Sequence, residues 1–366
     1  MLSNAFDYPI DEDLQRAVAQ VLARRIHHGG PYTAEAERRI ADAFGCAHGV
    51  AVNSGSAAGL IIMHALGVGP GDEVIVPGTS YITSAEIVAL RGATPIFVEC
   101  EPDTLNVDVG AVRNAITERT RGIIAVHTYG HPVDLDALAA VANEHGIWLV
   151  ENCAHAFGAR YAGRPVGSVG IAGFTALSRK HLSVCGTGGV AFSNDSEVAE
   201  AMRKTSIHGR DGYHAYESYV LGYNFRFNEI QACITCRQLD LVDEWIRVRQ
   251  AHARRYVERF EAASVPLELP LPRPYAEPSY LDFVVQTDRR DALREYLALR
   301  SIRTIVRYAV PCHLHPVFRD MYGHGPGMLP AVERACGRIL SLPVAPDLTS
   351  DDIDAVADAT IAFFEA

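Results

Sequence analysis

Between residues 48 and 195 the chain alternates short apolar runs with stretches of helical periodicity, and nothing else in the sequence narrows the fold so far. The runs read GVAVN, DEVIVP, TPIFVE, GIIAVH, IWLVEN, GFTAL and GGVAFS. Strands that alternate with helices build βαβ units and a mostly parallel sheet covered by helices. In such a sheet a ligand binds outside the carboxyl ends of the strands. The side of the sheet on which to look for chemistry is therefore set before any single residue is considered.

From 228 to 262 the apolar spacing predicts one long helix, Arg-rich toward its end as IRVRQAHARRYVERF, with those charges on a solvated face. The segment ASVPLELPLPRPYAEPSY then carries five prolines, which break any helix and mark a junction. This predicts a large α/β domain over 1–260, with a helical segment at its start, and a small α+β domain over 261–366. The smaller part reads as a strand LDFVVQT, a helix DALREYLALR, a second strand near RTIVRY and two further helices. A chain of 366 residues that is 48% hydrophobic can bury cores for both.

Composition excludes some functions. A formal charge of −11 argues against a nucleic-acid footprint, which needs clustered Lys and Arg. The opening MLSNAFDYPIDEDLQRAV has no basic segment followed by an apolar one, and no apolar run of about 18 residues occurs, so a cytoplasmic protein with no membrane partner is expected. The eight cysteines read as reduced and buried. Cys233 and Cys236 form a C-x-x-C inside the helical NEIQACITCRQLDLVDEWI; one pair supplies only two ligands, and no metal is expected.

Four segments carry candidate chemistry. In NSGSAAGLIIMHAL a strand runs through a Ser/Gly turn into a helix, so backbone N–H groups at Gly55, Ser56 and Ala57 would leave the helix N-terminus as an anion site. In VPGTSYITSAEI, Tyr81 lies just past a strand, where a flat ring could stack on a planar ligand. In WLVENCAHAFG, Asn152 and His155 are candidates for the pocket floor at a strand end. In GFTALSRKHLSVCGTGGVAFSND, Lys180 stands in a loop, five residues after Thr175 and beside Arg179; a lysine that forms a Schiff base needs a depressed pKa, which desolvation and a neighbouring cation supply.

Taken together, these segments resemble the DegT/DnrJ/EryC1/StrS family of pyridoxal-phosphate aminotransferases, which act on keto-sugars and ketocyclitols. The likeness runs over nearly the whole chain and includes GPYTAEAERRIADAFG, VNSGSAA, GVGPGDEVIVP, GATPIFVECEPDTLNVD, AVHTYGHPVDLDAL, HGRDG, GYNFRFNEIQA and ILSLPVAP. It implies the fold-type-I architecture of the aspartate aminotransferase kind and pyridoxal 5′-phosphate, or its pyridoxamine form, as cofactor. Lys180 would be the catalytic, cofactor-bearing lysine and Tyr81 the stacking ring. Gly55, Ser56 and Thr175 would hold the phosphate, and His155 would approach the cofactor's phenolic oxygen. Asn224, in GYNFRF, would reach the phosphate of the neighbouring subunit, which implies a homodimer with shared active sites. Tyr308 and His313, in VRYAVPCHLHP, would lie near the substrate. The partners implied are a keto-sugar or ketocyclitol and an amino donor, L-glutamate or L-glutamine, in secondary-metabolite or cell-surface sugar biosynthesis.

Two departures from the family pattern bear on activity. Where the family has an Asp that pairs with the pyridine nitrogen, this chain has Asn152, which carries no charge to keep that nitrogen protonated. That keeps open a dehydratase, epimerase or other lyase of the same family. Second, counting back from the Gly-Gly pair in one subgroup's spacing selects His181, the residue type of the sugar dehydratases. Counting forward from Phe174 and Thr175 selects Lys180, and the ungapped match of KHLSVCGTGG to KNLGxxGxGG favours the lysine. A member that binds cofactor or sugar only to regulate or scaffold is the competing class, against which the retained Lys180 speaks.

Overall fold

The structure is a computed structural model that describes residues 1–4, 6, 8–178, 181–213 and 215–366. Two helices open it, α1 (Glu12–Arg24) and α2 (Pro31–Ala43). The alternating region follows as β1 (His48–Val52), α3 (Gly55–Ala65), β2 (Glu73–Pro77), α4 (Thr83–Ala89), β3 (Thr94–Val98) and α5 (Val109–Ala115). It continues with β4 (Thr120–Val126), α6 (Leu135–His145), β5 (Trp148–Asn152), β6 (Ala172–Ala176) and β7 (Gly189–Ser193). Then come α7 (Ser196–Ser206), α8 (Glu229–Leu239) and α9 (Val242–Ala262). The last third holds β8 (Phe283–Gln286), α10 (Arg290–Ala298), α11 (Pro316–Tyr322), α12 (Pro330–Arg338), β9 (Ile339–Leu342) and α13 (Ser350–Glu365).

All seven apolar runs of the alternating region are strands of one sheet, in the order β1-β7-β6-β5-β4-β2-β3. β7 lies antiparallel to both its neighbours, while the remaining pairings are parallel. The carboxyl ends of the six like-directed strands thus share one rim. Both faces are covered: Ile75, Ile123 and Ala125 join one core with α2, α6 and α8, and Val74, Val76 and Ile124 join another with α3 and α4. Central strands buried on both faces read as unbroken apolar runs, which is why they were legible.

Three local expectations give way. The helix expected over 228–262 is two helices, broken at Asp240 and Leu241. No Gly or Pro marks the break. Arg39 of α2 reaches in with one hydrogen bond to the Cys236 carbonyl and another to Asp240, so a neighbouring element satisfies the helix end. The strand expected near RTIVRY is a single bridge from Ile305 to Ser341, and the true partner of β8 is β9, ILSL. Beyond Ile305 the chain turns its side chains to the sheet rim instead of continuing the ladder. Three helices, not two, follow α10; α11 is a seven-residue helix with Pro316 in its first turn and Gly323 at φ 70° beyond its end.

The last third closes over a core of its own, in which Phe283, Leu293, Leu340 and Val356 meet Tyr256 and Phe260 of α9. Among the described residues no helix is long and apolar enough to cross a membrane.

Candidate active site

A cavity of about 300 Å³ opens at the carboxyl ends of β4, β5 and β6, walled by the first turn of α3, the start of α4, and Arg307 and Tyr308. Its phosphate-binding potential comes from α3. Ser54 is extended at φ −165° and caps the helix by accepting the Ala57 N–H at 3.1 Å. The N–H groups of Gly55 and Ser56, in the unbonded first turn, are left for an anion, reinforced by the helix dipole. Gly55 has to be glycine, because a Cβ there would lie 2.7 Å from the Ala176 Cβ. Ser56 Oγ stands 3.1 Å from Thr83 Oγ1, so two hydroxyls flank the helix start.

The floor is polar. Asn152 ends β5 and is buried, its Nδ2 donating to Ser84 Oγ and its Oδ1 accepting the Ala154 N–H, both at 3.1 Å. His155 Nδ1 accepts the Tyr129 N–H at 3.3 Å, and its Nε2 lies 2.8 Å from Tyr308 Oη. That network assigns the Nε2–H tautomer to a neutral ring. The rings of Tyr129, His155 and Tyr308 lie nearly parallel, with planes 11° to 21° apart. Burial pushes the Tyr308 hydroxyl well up, despite the Arg307 charge, so it stays a neutral donor. Tyr81 is 55% exposed at the mouth, its centroid 6.0 Å from that of Tyr308.

The fold brings Gly55, Ser56, Tyr81, Asn152, His155 and Tyr308 to one cavity, out of stretches far apart in the chain. Lys180 and Arg179 lie outside the described residues. Four other candidates are placed elsewhere. Ala57 is spent on the Ser54 cap. Thr175 stands 3.4 Å from the Cys153 carbonyl, while its strand neighbours Phe174 and Ala176 line the cavity, as the alternation of β6 requires. Asn224 is exposed and pairs through its backbone with Ile207, away from this cavity. His313 is wholly buried with Nε2 3.2 Å from Glu333 Oε1, a packing role behind the wall. His181, the alternative to the lysine, is buried against the His155 carbonyl and Ser279 Oγ, at 3.1 and 3.2 Å.

Sequence reasoning missed Thr83, Ser84, Thr187 and Arg307. The first two had a signal, since SYITSAEI puts hydroxyls one helical turn past Tyr81. Arg307 had none, because only the turn after Ile305 carries it to the rim.

One buried cluster near the floor has a structural explanation. Glu151 Oε2 lies 3.0 Å from His127 Nε2, and the same carboxylate accepts N–H bonds from Gly167, Val169 and Gly170. Burial pushes Glu151 up, but the His127 bond and these N–H groups outweigh it and hold the carboxyl below its ordinary value. With its acceptors filled, it ties the loop before β6 to β5.

A sheet of this topology, with one cavity at its carboxyl rim and a helix N-terminus aimed into it, is the fold-type-I arrangement of pyridoxal-phosphate enzymes. The model of the DegT/DnrJ/EryC1/StrS aminotransferase family matches residues 9–360, and the chain belongs to that family. It is a pyridoxal-phosphate-dependent aminotransferase. Over 347 residues it is 39% identical to the dTDP-3-amino-3,4,6-trideoxy-alpha-D-glucose transaminase of Streptomyces venezuelae, covering 94% of this chain and 90% of that protein. A crystal structure of S. venezuelae DesV superposes with a TM-score of 0.93 at 37% identity, over 97% of this chain and 95% of the other. The PMP form of Spr1654 from Streptococcus pneumoniae superposes with a TM-score of 0.92 at 25% identity, over 100% of this chain and 97% of the other.

Proposed function

We propose that the protein transfers an amino group from L-glutamate or L-glutamine to a keto-sugar or ketocyclitol. The observation that carries this reading is the single cavity in which a helix N-terminus, an exposed aromatic ring and a polar floor converge, in a chain of a sugar-aminotransferase family. The cradle suits the cofactor: Gly55 lets the first turn of α3 pack closely on Ala176, and Ser56 and Thr83 supply hydroxyls beside the free N–H groups. When bound, pyridoxal phosphate supplies a carbonyl that captures the amino group and a ring that accepts electron density from the adjacent carbon. Gly55 and Ser56 would hold the phosphate through their N–H groups, and Tyr81 would cover a ring face. Asn152 would meet the pyridine edge as a neutral partner. His155, its two ring nitrogens engaged by the Tyr129 N–H and the Tyr308 hydroxyl, would lie on the side of the phenolic oxygen. Lys180 would move the proton at the α-carbon of the donor, and the same residues would serve the ketone in the return half.

The active unit in this reading is a homodimer. Asn224 is exposed beside the apolar surface of Tyr216, Tyr219, Val220 and Leu221, and patches of that kind mark interfaces. A cytoplasmic setting agrees with the eight free thiols, seven of them buried.

The test is spectroscopic. Purified protein is loaded with pyridoxal phosphate, and its visible band is followed on adding L-glutamate or L-glutamine. Loss of the band with release of the keto acid supports the transaminase. A band unmoved by either donor overturns it in favour of the second reading, a dehydratase, epimerase or lyase, which the uncharged Asn152 floor supports.

A further inference from the structure

Asn152 ends β5 at the floor of the cavity, and its amide cannot be turned over. The Ala154 backbone N–H, 3.1 Å from Oδ1, is only ever a donor, so the oxygen of the amide has to face it. Nδ2 then faces Ser84 Oγ at 3.1 Å and gives it one hydrogen. Ser84 Oγ in turn lies 3.3 Å from Ser80 Oγ, and all three side chains are buried. An amide nitrogen carries two hydrogens. Among the described residues the second has no acceptor, although Asn152 is only 5% exposed and lines the cavity. A buried N–H without an acceptor is rarer and costlier than a carbonyl with one lone pair open, so this hydrogen marks where an acceptor atom of a ligand belongs.

The charges around the floor point the same way. No Asp or Glu is among the described residues that line the cavity. Glu151, one position earlier on β5, projects to the other face of the sheet by the alternation of a strand. There His127 and the N–H groups of Gly167, Val169 and Gly170 take up its carboxylate. Asp282 is matched as well, its Oδ2 3.0 Å from Nε of Arg307, whose guanidinium lies in the cavity wall. A ring nitrogen buried at this floor meets no unmatched negative charge to favour its protonated form, and burial itself favours the neutral one.

Resting on the reading that puts Asn152 at the pyridine edge, we propose that the chain holds the cofactor's ring nitrogen unprotonated, as the acceptor of the second Nδ2–H of Asn152, with Ser84 positioning the amide. Ser84 takes the first hydrogen, the Ala154 N–H fixes the oxygen, and the donor left over is directed to the ligand. A neutral, hydrogen-bonded nitrogen draws less electron density than a charged one. The proton at the donor's α-carbon is then moved with less help from the ring and depends more on Lys180.

The experiment uses the holoenzyme loaded with pyridoxal phosphate isotopically labelled at the ring nitrogen, whose chemical shift is read by solid-state NMR at neutral pH. The protonated and unprotonated forms of the free cofactor serve as references. Expected for the wild type is a signal on the unprotonated side, displaced from the free base by the hydrogen bond. Asn152→Asp should carry it to the protonated side. Asn152→Leu should remove the displacement and lower cofactor affinity about two- to tenfold, as expected for one hydrogen bond. Ser84→Ala should shift the signal part of the way, and Ser84→Thr, which restores the hydroxyl, should bring it back. A Ser84→Ala protein with altered stability and an unmoved signal overturns the positioning role. A wild-type signal on the protonated side overturns the proposal without recourse to any variant. A signal that Asn152→Leu leaves in place shows instead that Asn152 does not face the nitrogen, and the reading of the site falls with the proposal. Failure of both amino donors to react counts against the transaminase alone, since the NMR measurement needs no turnover.

Discussion

Asn152 places a neutral amide where this family's pattern has a carboxylate, and it is held there by Ser84 and the Ala154 N–H. An acid at this position would raise the basicity of the partner it faces. Asn152→Asp should therefore speed the donor half-reaction by on the order of tenfold, read in single-turnover stopped-flow; an unchanged or slower rate would mean that the amide is tuned to its reaction. Lys180→Ala should cut turnover by about a thousandfold, and borohydride should fix the cofactor to the wild type but not to the variant, as read by mass spectrometry. Glu151→Gln should cost about 3–5 kcal/mol in urea unfolding, since it breaks a wholly buried pair whose acceptors are all in use. At this scale the sequence revealed residues that follow a strand end directly, Gly55, Ser56, Tyr81, Asn152 and His155. It could not reveal Arg307 or the inward burial of His313, because both depend on where the last third of the chain folds back.

Helix α3 ties local sequence to the site most directly. Ser54→Ala removes its cap and should lower stability by about 1 kcal/mol, with a parallel loss of cofactor affinity, because the same turn presents the Gly55 and Ser56 N–H groups; a changed Tm with unaltered affinity for pyridoxal phosphate would separate the two roles. The strands were legible because two-sided burial writes itself as contiguous apolar runs. The break between α8 and α9 was not, since QLDLVDEW has no breaker and the interruption comes from Arg39 across the interface. The lone bridge at Ile305 was misread as a strand for the converse reason: its β-branched neighbours favour extension, but only one residue finds a partner.

Over the whole molecule, acid should act in two stages. His131 and His252 are buried and, chiefly through that burial, held below the ordinary histidine value. The unfolded chain then binds protons that the folded one refuses, so stability is full above about pH 6.5 and declines below it. Glu151 contributes in the opposite compartment of the scale: its folded value is depressed, so its contribution is full above about pH 4.3 and is lost as pH falls through the folded value. Thermal midpoints from about pH 8 down to about pH 4 should show the first decline near pH 6.5, and a flat profile across that range would contradict the buried neutral histidines. The proposed shared-site dimer has its own test: Lys180→Ala and Asn224→Ala should each be inactive alone, and refolded together in equal amounts they should restore about a quarter of the active sites.

Helix α2 begins at a glycine whose N–H, with those of Tyr32 and Thr33 and the Thr33 hydroxyl, all donate to the one carboxylate of Glu229 on α8. A Cβ at Gly30 would come within 2.6 Å of that carboxyl group. The GPYT and NEIQ motifs are thus two halves of a single lock, 199 residues apart. For anyone recombining this chain with a relative, a crossover anywhere between them is safe only if both parents carry the same halves, whereas the cavity residues can be exchanged without disturbing it.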